Sequence, residues 1–397
     1  MWNSPVQDEQ LKDQIRLKLE EIATALENKP SPLSYSLING EAGILLFDCY
    51  YSLFLDSSEN SERTEQKIIA MFDNLKTVPA GILSNGVAGM VWTLDHLNKA
   101  GFIEVEQEIF ADISPSLSNS LIKNSLAGNF DYLHGANGIA LYLSGRTEET
   151  AHANFDHWLQ LLEENGSSTE DTICWQTTIN AKAGLYGYNL GLAHGICSVI
   201  IILVKRLKLQ PDEQASRLLN KCINYLLENR NEKGAGSFFP GYVISGKKQN
   251  VVRPGWCYGD LGCAMALYFA GNFLKRPELV SLSEEILLFY AHNRGPLQDK
   301  EILDADFCHG AVGVAHIFAR FYNYTGSEEY RKAAEYYYAK TLQLGAGNNG
   351  PAGYQHITDD GAENNYSLLE GISGIGLCLI SAVSSIEPQW DNCFLLS

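Results

Sequence analysis

A four-residue pattern, Gly-x-x-Gly, recurs seven times along this chain and restricts its fold more than any other feature. The copies begin at Gly40, Gly86, Gly135, Gly195, Gly259, Gly310 and Gly371. In the fourth copy, Ser198 stands in place of the second glycine. Consecutive copies begin 46 to 64 residues apart, which is the length of a helical hairpin with loops of varied size. A repeat of this period indicates one supersecondary unit used seven times.

Each copy opens an apolar stretch, and amphipathic stretches lie between the copies. Before the first copy, apolar residues recur at helical spacing until Pro30 ends the helix. These residues are Leu11, Ile15, Leu19, Ile22 and Leu26. Further amphipathic helices are predicted over 62–76, 213–229, 277–293 and 328–343. Strand signals are few, and a short hairpin is predicted only between Phe238 and Val252.

The repeat predicts an all-α fold whose units close on themselves. Two small residues one helical turn apart let neighbouring helices approach closely, and a glycine at a helix start leaves N–H groups uncovered. Seven hairpins closed into a ring leave no end of the array exposed. We therefore predict an α/α toroid of seven helical hairpins, with inner and outer rings of seven helices each, as a single domain over residues 1–397. The stretches 167–190 and 345–365 are predicted to be loops at the mouth of the central cavity.

Charge and cysteine content restrict the partners and the compartment. Lysine and arginine total 29 against 47 aspartates and glutamates, and the formal charge of −18 disfavours nucleic acid or an anionic membrane as the main partner. The polar N-terminus lacks a signal-peptide pattern, and no apolar run reaches the roughly 20 residues of a membrane helix. We therefore expect a cytoplasmic protein, peripheral to a membrane only through a complex. Nine scattered cysteines without a secretory signal indicate thiols and metal ligands, not disulfides.

Two cysteines occupy the same position of the motif. Cys257 and Cys308 each lie two residues before the first glycine of a copy, and their copies are neighbours in sequence. Because equivalent positions of adjacent repeats face the same space, the two thiols are expected to meet, with His309 beside Cys308. Thiolates and imidazole are zinc ligands, and three protein ligands leave one position open for water or substrate. The other seven cysteines share no motif position and are predicted to be ordinary thiols.

This ligand set favours thiol chemistry over hydrolysis. Zn²⁺ with two thiolates and a neutral imidazole is formally neutral and activates water weakly, whereas it lowers the pKa of an incoming thiol and holds it as thiolate. Polar residues flank the same rim. His194 is a candidate acid, and Asp131 is the carboxylate that would orient it. Arg253 and Tyr258, close to Cys257 in sequence, could face a developing enolate.

Taken together, these residues resemble one known family, the lanthionine synthetase C-like cyclases. The family's signatures are similar to Trp256-Cys257-Tyr258-Gly259, Cys308-His309-Gly310 and Leu192-Ala193-His194-Gly195. The resemblance extends through all seven glycine motifs and so covers nearly the whole chain. It implies an α/α toroid, as the repeat does.

The resemblance also implies an activity, the cyclisation of a ribosomally made peptide. In this family a precursor cysteine binds zinc and adds to dehydroalanine or dehydrobutyrine, which closes a lanthionine or methyllanthionine ring. Carried over by motif, the zinc ligands are Cys257, Cys308 and His309. The implied catalytic residues are His194 as acid/base, Asp131, Arg253 and Tyr258. The expected partner is a dehydrated precursor peptide, with a dehydratase and a transporter as further members of a biosynthetic complex.

Three other functions remain open. The first is a zinc-containing protein of the same family that binds glutathione or another thiol without cyclase activity. The second is a protein prenyltransferase subunit, although those toroids usually include a carboxylate ligand and have a different repeat. The third is a toroidal glycosidase, which needs paired carboxylates. Asp131 and Glu370 could form such a pair, but the two motif cysteines would then have no explanation.

Overall fold

The computed structural model describes residues 2–30, 33–57, 62–75, 77–78, 81–146, 149–251, 253–296, 301–347, 349–358 and 360–397. In these ranges the chain forms fourteen α-helices and eight short strands. The helices are α1 (Glu9–Glu27), α2 (Glu41–Phe54), α3 (Glu62–Asn74), α4 (Val87–Lys99), α5 (Gln107–Leu126), α6 (Ala136–Ser144), α7 (Glu149–Glu164), α8 (Ile196–Leu209), α9 (Glu213–Glu228), α10 (Asp260–Leu274), α11 (Pro277–His292), α12 (Ala311–Thr325), α13 (Glu328–Leu344) and α14 (Ile372–Val383). The strands are β1 (Ser167–Ser168), β2 (Ile173–Cys174), β3 (Gln176–Asn180), β4 (Leu185–Asn189), β5 (Pro240–Ile244), β6 (Lys247–Asn250), β7 (His356–Thr358) and β8 (Gly361–Glu363).

Every even-numbered helix begins at the residue after the first glycine of a motif copy. The second glycine is needed for space, because a Cβ at Gly313 or Gly374 would collide with the backbone carbonyl six residues earlier. In the fifth copy the first glycine, Gly259, has a φ of 127°, a backbone conformation that residues with a side chain rarely adopt. In the fourth copy Ser198 donates a hydrogen bond of 2.7 Å to the carbonyl of Gly195. The motif therefore starts seven buried helices, as the repeat predicted.

The odd-numbered helices pack by one face. In α1 the buried residues include Ile15, Leu19 and Ile22, which confirms the predicted N-terminal helix. The helices predicted over 62–76, 213–229, 277–293 and 328–343 are confirmed as α3, α9, α11 and α13, with ends that differ by at most two residues. Helix α5 was not predicted, because Pro115 and a serine at every second position from Ser114 to Ser120 obscure its apolar face.

The chain divides into two compact units, which are described separately. The first unit comprises Met1–Pro79, Ser84–Val105 and Leu287–Ser397, and the second comprises Ala80–Leu83 and Glu106–Ile286. In the first unit α12 packs on α14, α14 on α2 and α2 on α4. In the second unit α6 packs on α8 and α8 on α10. Within each unit, therefore, helices from consecutive repeats are neighbours. The single domain expected over residues 1–397 stays a prediction.

Strands β3 to β6 form an antiparallel sheet in the second unit, in sequential order. Its β5–β6 part confirms the hairpin predicted between Phe238 and Val252, although Val252 itself lies outside the described residues. The stretch 167–190, predicted as a loop, contains β1 to β4 instead. Strands β7 and β8 form a hairpin within the stretch 345–365 of the first unit. Among the described helices, none has the length and apolar character needed to cross a membrane.

Backbone hydrogen bonds join the loops that precede the buried helices, at or next to the position two residues before the first motif glycine. In the first unit, Ile38 donates its N–H to the carbonyl of Ser84 at 3.1 Å. Leu368 in turn donates to the carbonyl of Ile38 at 3.1 Å, and Cys308 donates to that of Leu369 at 3.1 Å. The motif position that holds Cys308 is therefore part of a hydrogen-bonded series of loops.

Candidate functional site

A carboxylate and an imidazole form a close pair in the second unit. Asp131 precedes α6 and His194 precedes α8, so the packing of these helices brings their loops together. The Oδ2 atom of Asp131 accepts a hydrogen bond from Nδ1 of His194 at 2.7 Å. Its Oδ1 atom accepts from the backbone N–H of His134 at 2.8 Å, which holds the carboxylate against its own loop. The two predicted residues thus meet as the motif suggested.

Each member of the pair shifts the pKa of the other towards its charged form. Burial alone would lower the pKa of His194, but the charge of Asp131 and its hydrogen bond raise that pKa above the usual value. Burial alone would raise the pKa of Asp131, but His194 lowers it. The pair therefore favours an imidazolium beside a carboxylate. The neighbouring His134 differs, because burial lowers its pKa.

Two more rings complete this part of the site. The ring centroid of His194 lies 5.8 Å from that of His134 and 5.6 Å from that of Tyr258. Tyr258 belongs to the repeat that follows that of His194. His134, His194 and Tyr258 all occupy the position just before the first glycine of a motif copy. His134 was not among the predicted site residues. Its motif position, which is the same as that of His194, is the signal that could have identified it.

These side chains line a cavity of about 730 Å³. Asp131, His134, His194 and Tyr258 form one wall. Strands β3 and β4 form another, with Gln176, Thr178, Tyr186 and Tyr188 among its residues. The stretch 167–190 therefore borders the cavity, as the prediction of a mouth segment implied, although it does so as strands.

Cys257 and Arg253 lie in the loop before α10, also in the second unit. Cys257 is buried, and its carbonyl accepts the N–H of Ala193 at 3.4 Å. This bond joins the cysteine loop to the loop of His194, the next residue. The Nε atom of Arg253 is buried without a hydrogen-bond partner among the described residues. A buried donor of this kind is costly unless something accepts its hydrogen bond.

Cys308 and His309 lie side by side before α12 in the first unit. Cys308 is buried and the His309 side chain is 16% exposed, and the Cys308 Sγ and a ring nitrogen of His309 lie within 4.8 Å of each other. Asp306 lies behind them. Its Oδ1 accepts the backbone N–H of His309 at 2.9 Å and of Gly310 at 2.8 Å, and its Oδ2 is 3.7 Å from Nε2 of His309.

A histidine that the sequence did not suggest faces the same carboxylate. Nδ1 of His356, on β7, donates to Oδ2 of Asp306 at 3.0 Å and lies 3.2 Å from Oδ2 of Asp304. These two hydrogen bonds raise the pKa of His356 to about 10. Asp306 could have been noticed, because it precedes His309 by three residues as Asp131 precedes His134. His356 lies outside the repeat, so no motif position identified it.

The donors fit zinc. Cysteine sulfur and histidine nitrogen are its preferred protein ligands, and Cys257 and Cys308 hold the same motif position in their repeats. A carboxylate behind a ligating histidine, as Asp306 lies behind His309, is the arrangement that orients such ligands. The seven other cysteines are all buried. Burial raises the pKa of Cys222 and of Cys378, so these side chains are thiols at neutral pH, as predicted.

Comparisons with known proteins agree with this description. The family model described as lanthionine synthetase C-like protein matches residues 31–395. The solved structure of a nisin cyclase superposes with a TM-score of 0.75 at 19% identity and covers 98% of each chain. At that identity the likeness shows the fold, and it confirms the predicted all-α class and α/α toroid. No curated protein matches the sequence.

Two other solved structures are more remote. An unsaturated glucuronyl hydrolase from Streptococcus agalactiae gives a TM-score of 0.48 at 12% identity, covering 96% of this chain and 94% of the other. A cellobiose 2-epimerase from Bacillus thermoamylovorans gives 0.47 at 11% identity, covering 96% and 100%. Likenesses at this level carry no argument about function.

Proposed function

The chain belongs to the lanthionine synthetase C-like family, and from this membership we propose that it is a zinc-dependent peptide cyclase. The substrate is a precursor peptide that contains cysteine together with dehydroalanine or dehydrobutyrine. The product is a lanthionine or methyllanthionine ring. The likeness to a nisin cyclase supports this choice over the glycosidase and prenyltransferase alternatives.

The observation that carries the proposal is the hydrogen-bonded Asp131–His194 pair on the wall of the cavity, in which the carboxylate raises the pKa of the imidazole. Addition of a thiol to a dehydrated residue forms a sulfur–carbon bond at the β-carbon and requires a proton at the α-carbon. An imidazolium that is held by a carboxylate and borders a cavity of about 730 Å³ can deliver that proton. The cavity between this pair and strands β3 and β4 has the volume to hold a peptide segment, whereas a small-molecule thiol would need less space.

The metal ligands in this proposal are Cys257, Cys308 and His309. Bound zinc would lower the pKa of the substrate thiol, so that the thiolate is present at neutral pH. Asp306 would hold His309 in its ligating orientation, since it bonds the backbone of that residue and faces its ring. Zinc held by three protein ligands would have one position open for the substrate sulfur.

The protein's own residues account for the remaining steps. The thiolate attacks the β-carbon, and negative charge develops on the neighbouring carbonyl oxygen. Arg253, whose Nε has no partner among the described residues, and Tyr258, beside His194, are the proposed donors to that oxygen. His194 then protonates the α-carbon, and Asp131 stabilises its charged form. The thiol proton passes to solvent, and His194 regains a proton from solvent after it has protonated the α-carbon, so the ring forms without a change in mass.

The proposal is tested with a synthetic peptide that contains one cysteine and one dehydroalanine. Wild-type protein with one zinc per chain should remove the maleimide-reactive thiol while the peptide mass stays constant. Cys308→Ala should lose most of the zinc and the activity, whereas Cys222→Ala, which removes a buried cysteine outside the motif, should keep both. If the wild-type protein binds zinc and glutathione but leaves the peptide thiol reactive, the thiol-binding alternative is favoured. Stoichiometric zinc in Cys308→Ala would refute the ligand assignment.

A further inference from the structure

The carboxylate–histidine pair on the cavity wall has a counterpart in the first unit. There, Asp306 accepts the backbone N–H of His309 through Oδ1 at 2.9 Å and Nδ1–H of His356 through Oδ2 at 3.0 Å. Asp131 likewise accepts one backbone N–H and one histidine Nδ1–H. Both aspartates lie four residues before the first glycine of their motif copy. The ring centroids of His309 and His356 are 5.9 Å apart, close to the spacing in the second unit. The same arrangement therefore occurs twice, with the second histidine supplied by a motif loop in the second unit and by β7 in the first.

The surroundings of the two copies differ, and the difference indicates different roles. His194 borders a cavity and has one carboxylate partner. His356 is 7% exposed, and Asp304 provides a second carboxylate 3.2 Å from its Nδ1. A third, Glu370, has an oxygen 3.8 Å from its Nε2. Three carboxylates therefore fix the orientation of the His356 ring. A ring held in this way is better placed to orient a neighbouring side chain than to transfer a proton to substrate.

The hydrogen bonds that lead from this ring towards the proposed metal site pass through Asp306, beside the direct contact of the His356 and His309 rings. One oxygen of that carboxylate receives the N–H of His309 and of Gly310 and so fixes the backbone of the ligand. The other oxygen receives Nδ1–H of His356 and lies 3.7 Å from Nε2 of His309. Asp304 is tied to β7 as well, because its Oδ2 accepts the N–H of Ile357 at 3.0 Å. The hairpin therefore anchors the carboxylate that faces the ligand.

We propose that His356 is a positioning residue that holds the zinc ligand His309 through Asp306. The inference rests on the proposed zinc site. Without the Nδ1–H donor, Asp304 and Asp306 would lose the histidine that they share. The Oδ2 atom of Asp306, which faces the ring of His309, would lose its hydrogen-bond donor, whereas Oδ1 would keep its two backbone donors. Loss of partners that lie behind metal ligands typically weakens metal binding by about 10- to 100-fold.

Two polar substitutions distinguish this role from general destabilisation. The amide nitrogen of asparagine can reach the Nδ1 position, whereas that of glutamine reaches the Nε2 position. His356→Gln should therefore raise the zinc dissociation constant by about 10- to 100-fold, and His356→Asn should restore most of the affinity. His152→Gln is the matched control, because it alters a half-buried histidine of the second unit that contacts the carbonyl of Arg146 at 3.1 Å and should leave zinc affinity within about threefold of wild type.

Zinc affinity is measured by competition with a chromogenic chelator on the full chain, with circular dichroism as the check on folding. The absorption spectrum of the Co²⁺-substituted protein reports ligand geometry independently of activity, and it should change in His356→Gln but not in His356→Asn. Equal affinities and spectra for the two His356 variants would overturn the inference. Two metal ions per wild-type chain would also overturn it, since the cluster of Asp304, Asp306, His309 and His356 would then bind a cation itself. If wild-type protein binds no zinc at all, the proposed function fails first.

Discussion

Replacement of Asp131 by asparagine tests the mechanism most directly. Asp131→Asn keeps the size of the side chain and leaves an oxygen to accept the N–H of His134, now 2.8 Å from Oδ1. It removes the negative charge that faces Nδ1 of His194 at 2.7 Å. The loop should therefore keep its shape while the imidazolium loses its counter-charge.

The size of the effect follows from the burial of the pair. The side chains of His194 and Asp131 are 20% and 15% exposed, so solvent screens their interaction little. A hydrogen bond between charged groups contributes about 1.5–3 kcal/mol. If this bond supports the charged acid in the transition state, its loss lowers kcat by about 10- to 150-fold, because each 1.36 kcal/mol is tenfold in rate. KM should change less, since neither atom of the bond needs to touch the ground-state peptide.

The assay is the rate of thiol loss from the synthetic peptide across a range of pH. Activity that depends on protonated His194 is lost as the pH rises through the pKa of that histidine. In Asp131→Asn the carboxylate no longer opposes the effect of burial, so the pKa of His194 falls. Activity should therefore decline at a lower pH than in wild type. Asp171→Asn, which alters an exposed aspartate of the same unit, is the control. A kcat within threefold of wild type, with an unshifted pH profile, would refute the reasoning.

Two further predictions concern the same histidine and a buried ion cluster. His194→Ala should retain zinc and helical content but lose about 10²- to 10⁴-fold in cyclisation rate, and full activity would remove it from the mechanism. In the first unit Asp391, fully buried, accepts hydrogen bonds from Arg320 at 2.6 Å and from His316 at 2.8 Å. Burial lowers the pKa of His316, while Asp391, whose pKa burial alone would raise, is held below its usual value mainly by Arg320. The free energy of unfolding in urea should therefore fall as the pH drops below about 6.5 and again below about 4. His316→Gln should reduce the first decline, and a stability that stays constant from pH 7 to 4 would contradict the assignment.

Local sequence predicted the buried helices well because their starts depend on short-range sterics. Each begins one residue after a motif glycine, and a Cβ at the second glycine would collide with a carbonyl only six residues away. The amphipathic helices were equally readable where apolar spacing was regular, as in α1. Helix α5 was missed because Pro115 and alternating serines weaken that local signal, and its packing on α7 is a tertiary contact.

The sequence by itself determined the motif positions of the candidate site. Asp131 and His194 could be paired in advance because each lies in the loop just before a motif glycine and repeats place these loops near one another, and their hydrogen bond of 2.7 Å agrees. Only the tertiary structure decided that β3 and β4 border the cavity and that His356 lies against Asp306. The physical reason is that a repeat specifies local backbone geometry at regular intervals. A hydrogen bond between residues fifty positions apart, one of them outside the repeat, depends on the path of the chain between them.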